Sequence, residues 1–505
     1  MIVSGKDIRA NVREDVDVCI VGSGAGGAMA ALELSRRGLK VVVLEEGKAR
    51  FSPDFPDGIK DAFKTLYRNT GADAATGIPT VIVPTGKCLG GTTVVNMGTC
   101  FRAPEAVLRT WQGFGLPDYG PEGLAPYYDE VEREMSIQAV KPEVMGRGGE
   151  IIAEGATRLG LHPRPIRRNV SDACRGCGNC AYGCKQDAKQ SMIVKVIPEA
   201  EQAGAVFYCD TRAETLVHDG ERITGVHGRV LDPVDGCFRS NVDIAARVVI
   251  LAAGALHTPA LLLKNSVGNG SGQVGKHLKL HLCMRTIGIF DEIIDAHHGV
   301  CQNLYIDDYL DQGIMLEATF TGPASQIPGI IGIDRELWEI CKRYRNMASI
   351  GIMISEKSSG RVRADGDGDP AMTFSVSQED AETLYRAMII SDRILFMAGA
   401  RKVVNGNSVV PEVNGMVELD ALARQKTRPS DFLLMAFHPQ GTCRMGANPK
   451  KSVIGPTGEC HELKNLFLAD ASIFPTSLGV NPQETIWALS KKISRHIAKD
   501  VFGRE

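Results

Sequence analysis

The sequence predicts an α/β fold of two lobes, one built on a parallel sheet and assembled from discontinuous segments, the other built on an antiparallel sheet. Three observations predict it. "DVCIVGSG", "AGGAMAALELSRRG" and "KVVVLEEG" follow one another as a buried strand, a helix closed by Gly38 and a second strand, the βαβ half-unit of a parallel sheet. Some two hundred residues later "ARVVILAAGA" is again a buried strand ending in small residues. From about Cys283 to Val404, "MRTIGIF", "GIMLEATF", "ASIGIMI", "GRVRAD" and "AMTFSVS" read as strands, followed by a helix over "SQEDAETLYRAMIISDRILFMAG".

The bulk numbers fit two lobes. A chain of 505 residues is too long for one core. Its 44% hydrophobic and 23% charged residues are ordinary for a globular protein, and a net charge of −3 argues against the clustered excess cation of a nucleic-acid surface. No apolar stretch is long enough to cross a bilayer. The opening residues lack an apolar signal core, and Arg36-Arg37 lies inside a predicted helix, so a cytoplasmic location is expected, with export alongside a partner subunit left open. Without an export signal, the 14 cysteines point to reduced thiols or metal ligands.

Between these anchors the chain reads as follows. Phe51 to Pro84 is Pro/Gly-rich and irregular, suited to covering a ligand. Residues from Pro104 to Pro165 are helical and acidic, and "GAVFYCDTRAETLVHDGERITGVHGRVLD" alternates as strands around an Asp-Gly turn. Ser430 to Glu505 returns to strand, loop and helix.

The first strand–helix junction carries a fingerprint. Gly22, Gly24 and Gly27 form G-x-G-x-x-G, giving a tight turn, close backbone approach to a pyrophosphate and close helix–strand packing. The helix N-terminus adds free N–H groups for phosphate. Glu45 ends the second strand, where an acid accepts hydrogen bonds from ribose hydroxyls. Together these predict a Rossmann-like dinucleotide site, without deciding between NAD and FAD.

Four further stretches resemble the glucose–methanol–choline family of flavin oxidoreductases. "GKCLGGTTVVNMG" is similar to its first signature, with Gly90, Gly91, Thr92 and Asn96 in place. "GALHTPALLLKNSVG" resembles the second, from Gly254 through Thr258 and Pro259, though Asn265-Ser266 replaces the usual Ser-Gly. "HPQGTCRMG" and "NLFLADASIFPTSLGVNPQETIWAL" resemble the C-terminal block. The resemblance implies FAD as cofactor, with Asp470, Ala471 and Pro482 beside it. It implies an FAD-binding domain of residues 1–110, 190–282 and 430–505 next to a substrate domain of 111–170 and 283–429.

Oxidising an alcohol requires a base for the hydroxyl proton and a second polar group to hold the oxygen. The resemblance places His438 of "AFHPQGT" as the base and Asn481 of "GVNPQET" as the oxygen's partner. Asn481 also reads as an N-cap with Pro482 at the first helical position. That helix N-terminus would favour an anionic reduced flavin. His257, His277, His281 and His461 read as structural or peripheral, and "DGDGDP" at 365–370 as a hairpin turn rather than a calcium loop.

"DACRGCGNCAYGC" sets Cys174, Cys177, Cys180 and Cys184 as C-x2-C-x2-C-x3-C, an iron–sulfur spacing rather than the two separated knuckles of zinc. Gly176, Gly178 and Gly183 leave room for sulfurs to turn inward. Some dehydrogenases of the resembled family hold a three-iron cluster on spacing x5 then x3, which Cys174, Cys180 and Cys184 match. The expectation is a [4Fe–4S] cluster in a loop of 171–189, with [3Fe–4S] second and zinc third. The implied enzyme oxidises a sugar, long-chain or cyclic alcohol. It passes electrons through the cluster to a cytochrome, ferredoxin-like protein or quinone rather than to oxygen, with a small accessory subunit possible. The alternative is an electron-transfer subunit with no alcohol substrate of its own.

Overall fold

The computed structural model describes residues 1–332 and 334–505. Its first sheet has eight strands. Ile2–Val3, Val206–Tyr208, Val41–Leu44, Val12–Val21 and Phe238–Leu251 run parallel side by side. Leu466–Leu468 pairs in parallel with the inner end of Phe238–Leu251, and Ile223–Leu231 and Thr211–His218 extend the sheet antiparallel. Val41–Leu44 is buried along its whole length, as a central strand covered on both faces must be. Helix Ala25–Ser35 is buried almost all round, because the C-terminal helix Gln483–His496 packs on its far side.

The second sheet has ten strands. Gln302–Ile306, Ile314–Thr319, Met347–Ile354 and Leu282–Ile289 lie antiparallel in that spatial order. Helix Gln378–Met397, capped by Ser377 accepting from Asp380 N–H, packs on the outer face. Gly351 is the register partner of both Arg285 and Glu317, so a row without a central side chain crosses three strands. Residues 365–370 are a hairpin turn between Gly360–Ala364 and Pro370–Thr373, as expected.

The lobes divide differently from the sequence boundaries. Helices Glu105–Gln112 and Pro121–Glu134 pack into the first core, with Tyr128 Oη 2.9 Å from Thr485 Oγ1 and Trp111 donating to Thr476. Of the 111–170 segment assigned to the second lobe, helix Arg147–Arg158 does join the second core. In return Ala74–Ala75, Val81–Ile82 and Leu434–Ala436, assigned to the first lobe, complete the second sheet. Hydrophobic pattern reveals each strand but not which sheet it joins. Among the described residues no helix is long and apolar enough to cross a membrane.

Candidate active site

The glycine loop is shaped by steric necessity. Gly22 has φ +95°, and a Cβ there would lie 2.6 Å from Ala252 O; one on Gly27 would lie 1.9 Å from Gly22 O. Gly26, which the fingerprint does not single out, is as strict, since its Cβ would fall 1.5 Å from Ala469 O. Gly24, at the N-cap of Ala25–Ser35, meets nothing on its open side, and neither does Gly254 (φ +84°). Both border one cavity of about 740 Å³ running between the lobes. Its walls include Gly22, Glu45, Gly91, Thr92, Asn96, Asp470, Ala471 and Pro482, together with His438 and Asn481. Gly27 and Gly90 stand behind the wall as packing residues, Gly90 N–H donating to Ser23 Oγ (2.9 Å).

The two acids predicted to face the cofactor are largely taken by the protein. Glu45 accepts from Ser23 N–H (2.9 Å), Ser23 Oγ (2.6 Å) and Gly47 N–H (2.7 Å), tying the glycine loop to the second strand. Burial raises its carboxyl above the ordinary range against those bonds. Asp470 accepts from Thr258 Oγ1 (2.6 Å), Ser472 N–H (2.7 Å) and Gly254 N–H (2.9 Å). Asn96 donates to Gln483 Oε1 (2.7 Å), which joins the flavin signature to the C-terminal helix.

Asn481 Nδ2 and His438 Nε2 are 3.4 Å apart at the cavity wall. Asn481 is not a helix cap. The helix begins at Gln483 with Pro482 as N-cap and no side-chain capping bond, which leaves the amide free to face the cavity, its Oδ1 without a partner. Burial pushes His438 down to about 4. Behind it, His438 Nδ1 lies 3.2 Å from His281 Nδ1, so His281 belongs to the site rather than to the periphery.

Glu317 escaped the sequence reading. It is 5% exposed, lines the same cavity, accepts from Gln302 Nε2 (2.9 Å), and has an unpartnered Oε1. Gln302 is oriented by Thr99 Oγ1, which donates to its Oε1 (2.6 Å). The available signal was an acid inside the otherwise apolar strand "GIMLEATF". A buried acid with spare hydrogen-bonding capacity marks a site more often than a core.

Comparison with known proteins fixes the family. The GMC oxidoreductase models match residues 63–283 and 356–490, and an FAD binding domain model matches residues 15–58. An uncharacterised GMC-type oxidoreductase of Mycobacterium tuberculosis is 36% identical over 492 residues, 96% of this chain and 76% of that one. The chain belongs to the GMC oxidoreductases. A long-chain-alcohol oxidase of Arabidopsis thaliana is 29% identical, over 97% of this chain and 69% of its own. The crystal structure of pyridoxine 4-oxidase from Mesorbium loti shares the fold, with a TM-score of 0.70 at 19% identity over 95% of this chain and 98% of that one. This GMC oxidoreductase binds FAD, and the cavity fits it: the side-chain-free edges of Gly24 and Gly254 offer bare backbone to a flat ring and a diphosphate.

In this GMC oxidoreductase the cysteine run lies between the lobes. Cys174, Cys180 and Cys184 are partly buried and Cys177 is exposed. The glycines serve backbone geometry rather than room for sulfur. Gly176, Gly178 and Gly183 all have positive φ, and a Cβ on Gly178 or Gly183 would lie 2.5 Å from His297 O or the Phe55 ring. Cys180 Sγ accepts from Arg168 Nη2 (3.0 Å) and Cys184 Sγ from Lys189 N–H (3.4 Å). Both cations are buried, 1% and 2% exposed, and among the described residues neither has a carboxylate partner. Arg168 Nη1 has no partner among the described residues, and Lys189 Nζ donates to Val94 O, Asn96 O and Cys180 O at 2.7–2.8 Å.

Proposed function

We propose that this chain oxidises an alcohol to a carbonyl at the wall formed by His438, Asn481 and Glu317, with FAD in the adjoining cavity. The observation that carries the reading is the meeting of His438 and Asn481, from segments 43 residues apart, in the wall of the cavity that the glycine loop also lines. FAD, when bound, accepts the hydride from the alcohol carbon. The chain's own groups hold the oxygen and receive its proton. Ile352, Met353, Leu433, Met435 and Phe437 line the same space, which suits a long-chain or cyclic alcohol better than a sugar. The Arabidopsis relative, named for long-chain alcohols, agrees.

The cysteine run supports an iron–sulfur cluster held by Cys174, Cys180 and Cys184, with Cys177 as fourth ligand. Two buried cations without carboxylates and one orphaned guanidinium N–H suit a site whose bound group is anionic, because an uncompensated buried charge costs several kcal/mol. A cluster, when bound, carries electrons one at a time. Zinc fits less well. A tetrahedral ion about 2.3 Å from each sulfur needs sulfurs about 3.8 Å apart. Among the described residues the group of ligand atoms within such reach is Glu33, Glu130 and Glu134, and no thiols. The preference for an acceptor other than oxygen rests on this run alone, since the Arabidopsis relative above is named an oxidase.

Anaerobic titration of the FAD-loaded protein with primary, secondary, cyclic and sugar alcohols tests the reading. Bleaching of the oxidised flavin band by an apolar alcohol is expected. No bleaching by any of them would favour the electron-transfer alternative.

A further inference from the structure

An arginine stands in the cavity wall that the second sheet provides. Side chains two apart on a strand share a face, so Cys283 and Arg285 of Leu282–Ile289 look the same way, and both line the cavity. Cys283 pairs with Met435 on one side and Met353 on the other, which sets three uncharged side chains in a row in that wall. One row further along, Arg285 pairs with Gly351, and Gly351 with Glu317. Arginine and glutamate are thus separated by a bare glycine.

Arg285 is partly buried and carries its charge without a counter-ion. Its Nη1 donates to Gln326 Oε1 (2.7 Å) and Ser325 O (3.4 Å). Gln326 is itself held, its Nε2 donating to Ser349 Oγ (3.1 Å) and its Oε1 accepting from Thr321 Oγ1 (3.3 Å). Among the described residues no carboxylate pairs with Arg285, and its Nε and Nη2 have no partner. Nε–H and Nη2–H point the same way, and that edge of a guanidinium grips a carboxylate with two parallel bonds. Glu317 does not balance the charge: its Oε2 accepts from Gln302, it forms no ion pair among the described residues, and burial pushes it up to about 7. Tyr182 and Cys283, also near the guanidinium, are kept neutral by burial. A charge withdrawn from water without a partner is costly, and an anion in the cavity beside it relieves that cost.

We propose that Arg285 selects the substrate: an alcohol whose carbon chain ends in a carboxylate, bound with the acid on Arg285 and the hydroxyl at His438 and Asn481. The strand sets the distance between the two ends. His281, whose Nδ1 lies 3.2 Å from His438 Nδ1, immediately precedes Leu282–Ile289, and Arg285 is the fourth residue of that strand. At about 3.4 Å per residue, Arg285 lies roughly 10–14 Å along the sheet from the His438 end. An extended carbon chain, advancing about 1.3 Å per bond, covers that span with roughly eight to eleven carbons. The row of Met435, Cys283 and Met353 between the two ends suits such a spacer, since it offers little of the hydrogen bonding that a sugar would need. The assignment rests on the alcohol-oxidising reading and narrows it to a long-chain alcohol with an anionic end.

Anaerobic flavin reduction separates the assignment from the reading. The FAD-loaded full-length wild type, R285M and R285K are titrated at neutral pH with ω-hydroxydecanoate, its methyl ester and decanol. For the wild type, the half-saturating concentration of the hydroxy acid should lie at least about tenfold below that of the ester, and R285M should raise it about 10–100-fold, the usual effect of losing hydrogen bonds to a charged group. R285M should leave the ester, decanol and the FAD spectrum close to wild type, and R285K should fall between the two. If R285M does not hold FAD, the wild-type contrast of acid with ester, together with R285K, decides the matter. A wild type that takes the ester as readily as the acid, or an R285M that weakens all three alcohols alike, overturns the assignment alone. So does a wild type bleached by other alcohols and by none of these. A wild type that no alcohol bleaches overturns the assignment and the reading together.

Discussion

At the scale of single residues, the site depends on which polar atoms are left free. Asn481 shows why. The dipeptide Asn-Pro before a helical run has the local chemistry of a cap, yet the helix starts one residue later and the amide faces the cavity. Asn481→Ala should cost about 10²–10³-fold in kcat, the usual effect of removing one donor to a developing oxyanion. Anaerobic flavin reduction of the FAD-loaded variant by an alcohol that bleaches the wild type is the measurement to make: a rate within tenfold of wild type, with an unchanged FAD spectrum, would leave Asn481 without a part in holding the oxygen. His438, Asn481 and the glycines were legible because short motifs carry them. Glu317, Gln302 and His281 were not, because their meaning lies in partners on other strands and loops, from 15 residues away (Glu317 and Gln302) to 203 (Gln302 and Thr99), that no local pattern announces.

Between elements, the strongest connection is an ion cluster rather than an apolar seam. Lys491, on Gln483–His496, is fully buried and reaches Glu33 (2.6 Å), Glu134 (2.8 Å) and Glu130 (3.2 Å). Arg495 adds a bond to Glu33 at 3.0 Å. The three carboxylates stand close enough for a metal ion, but Lys491 Nζ already occupies the space between them. Three helices, Ala25–Ser35, Pro121–Glu134 and Gln483–His496, are joined behind the glycine loop. Burial alone would raise Glu33, but Lys491 and Arg495 outweigh it and hold the carboxyl below its usual range. Its stabilising contribution is thus present above the unfolded value of about 4.3 and is lost as pH falls through the folded one. Lys491→Met should destabilise the protein by about 3–5 kcal/mol at neutral pH, since it strands a buried charge. The deficit should shrink as acid protonates Glu33. Urea unfolding of wild type and variant at pH 7 and pH 4 would show both. The strands and the long helices followed from periodicity, but this cluster did not: its charges are scattered through sequence and read singly as solvated surface.

Over the whole molecule, segment 171–189 is the clamp between the lobes. On the FAD side, Lys189 and Arg168 hold it to Val94, Asn96 and Met97. Tyr67 Oη adds a bond to Ala181 O (2.8 Å). On the other side Gly299 N–H donates to Gly176 O, Cys301 Sγ to Gly178 O, and Tyr182 Oη lies 3.1 Å from Ser325 Oγ. Yet the segment forms one short helical turn, Cys180–Tyr182, and contributes little apolar core. On the proposed reading the segment takes its rigidity from the cluster its thiols would hold, since a bound metal–thiolate centre contributes folding energy to the chain around it. Protein purified without oxygen should contain iron and acid-labile sulfide in equal amounts, or an excess of sulfide if exposed Cys177 is not a ligand. Removing the metal should lower the thermal midpoint and speed hydrogen exchange across 171–189 and at Val94, Asn96 and Met97, where the clamp meets the flavin wall. The core of the first sheet, with its own helices on both faces, should exchange no faster. Equal protection of 171–189 before and after metal removal would mean that the protein bonds alone hold the lobes together, and that the two buried cations are balanced by thiolates without any metal.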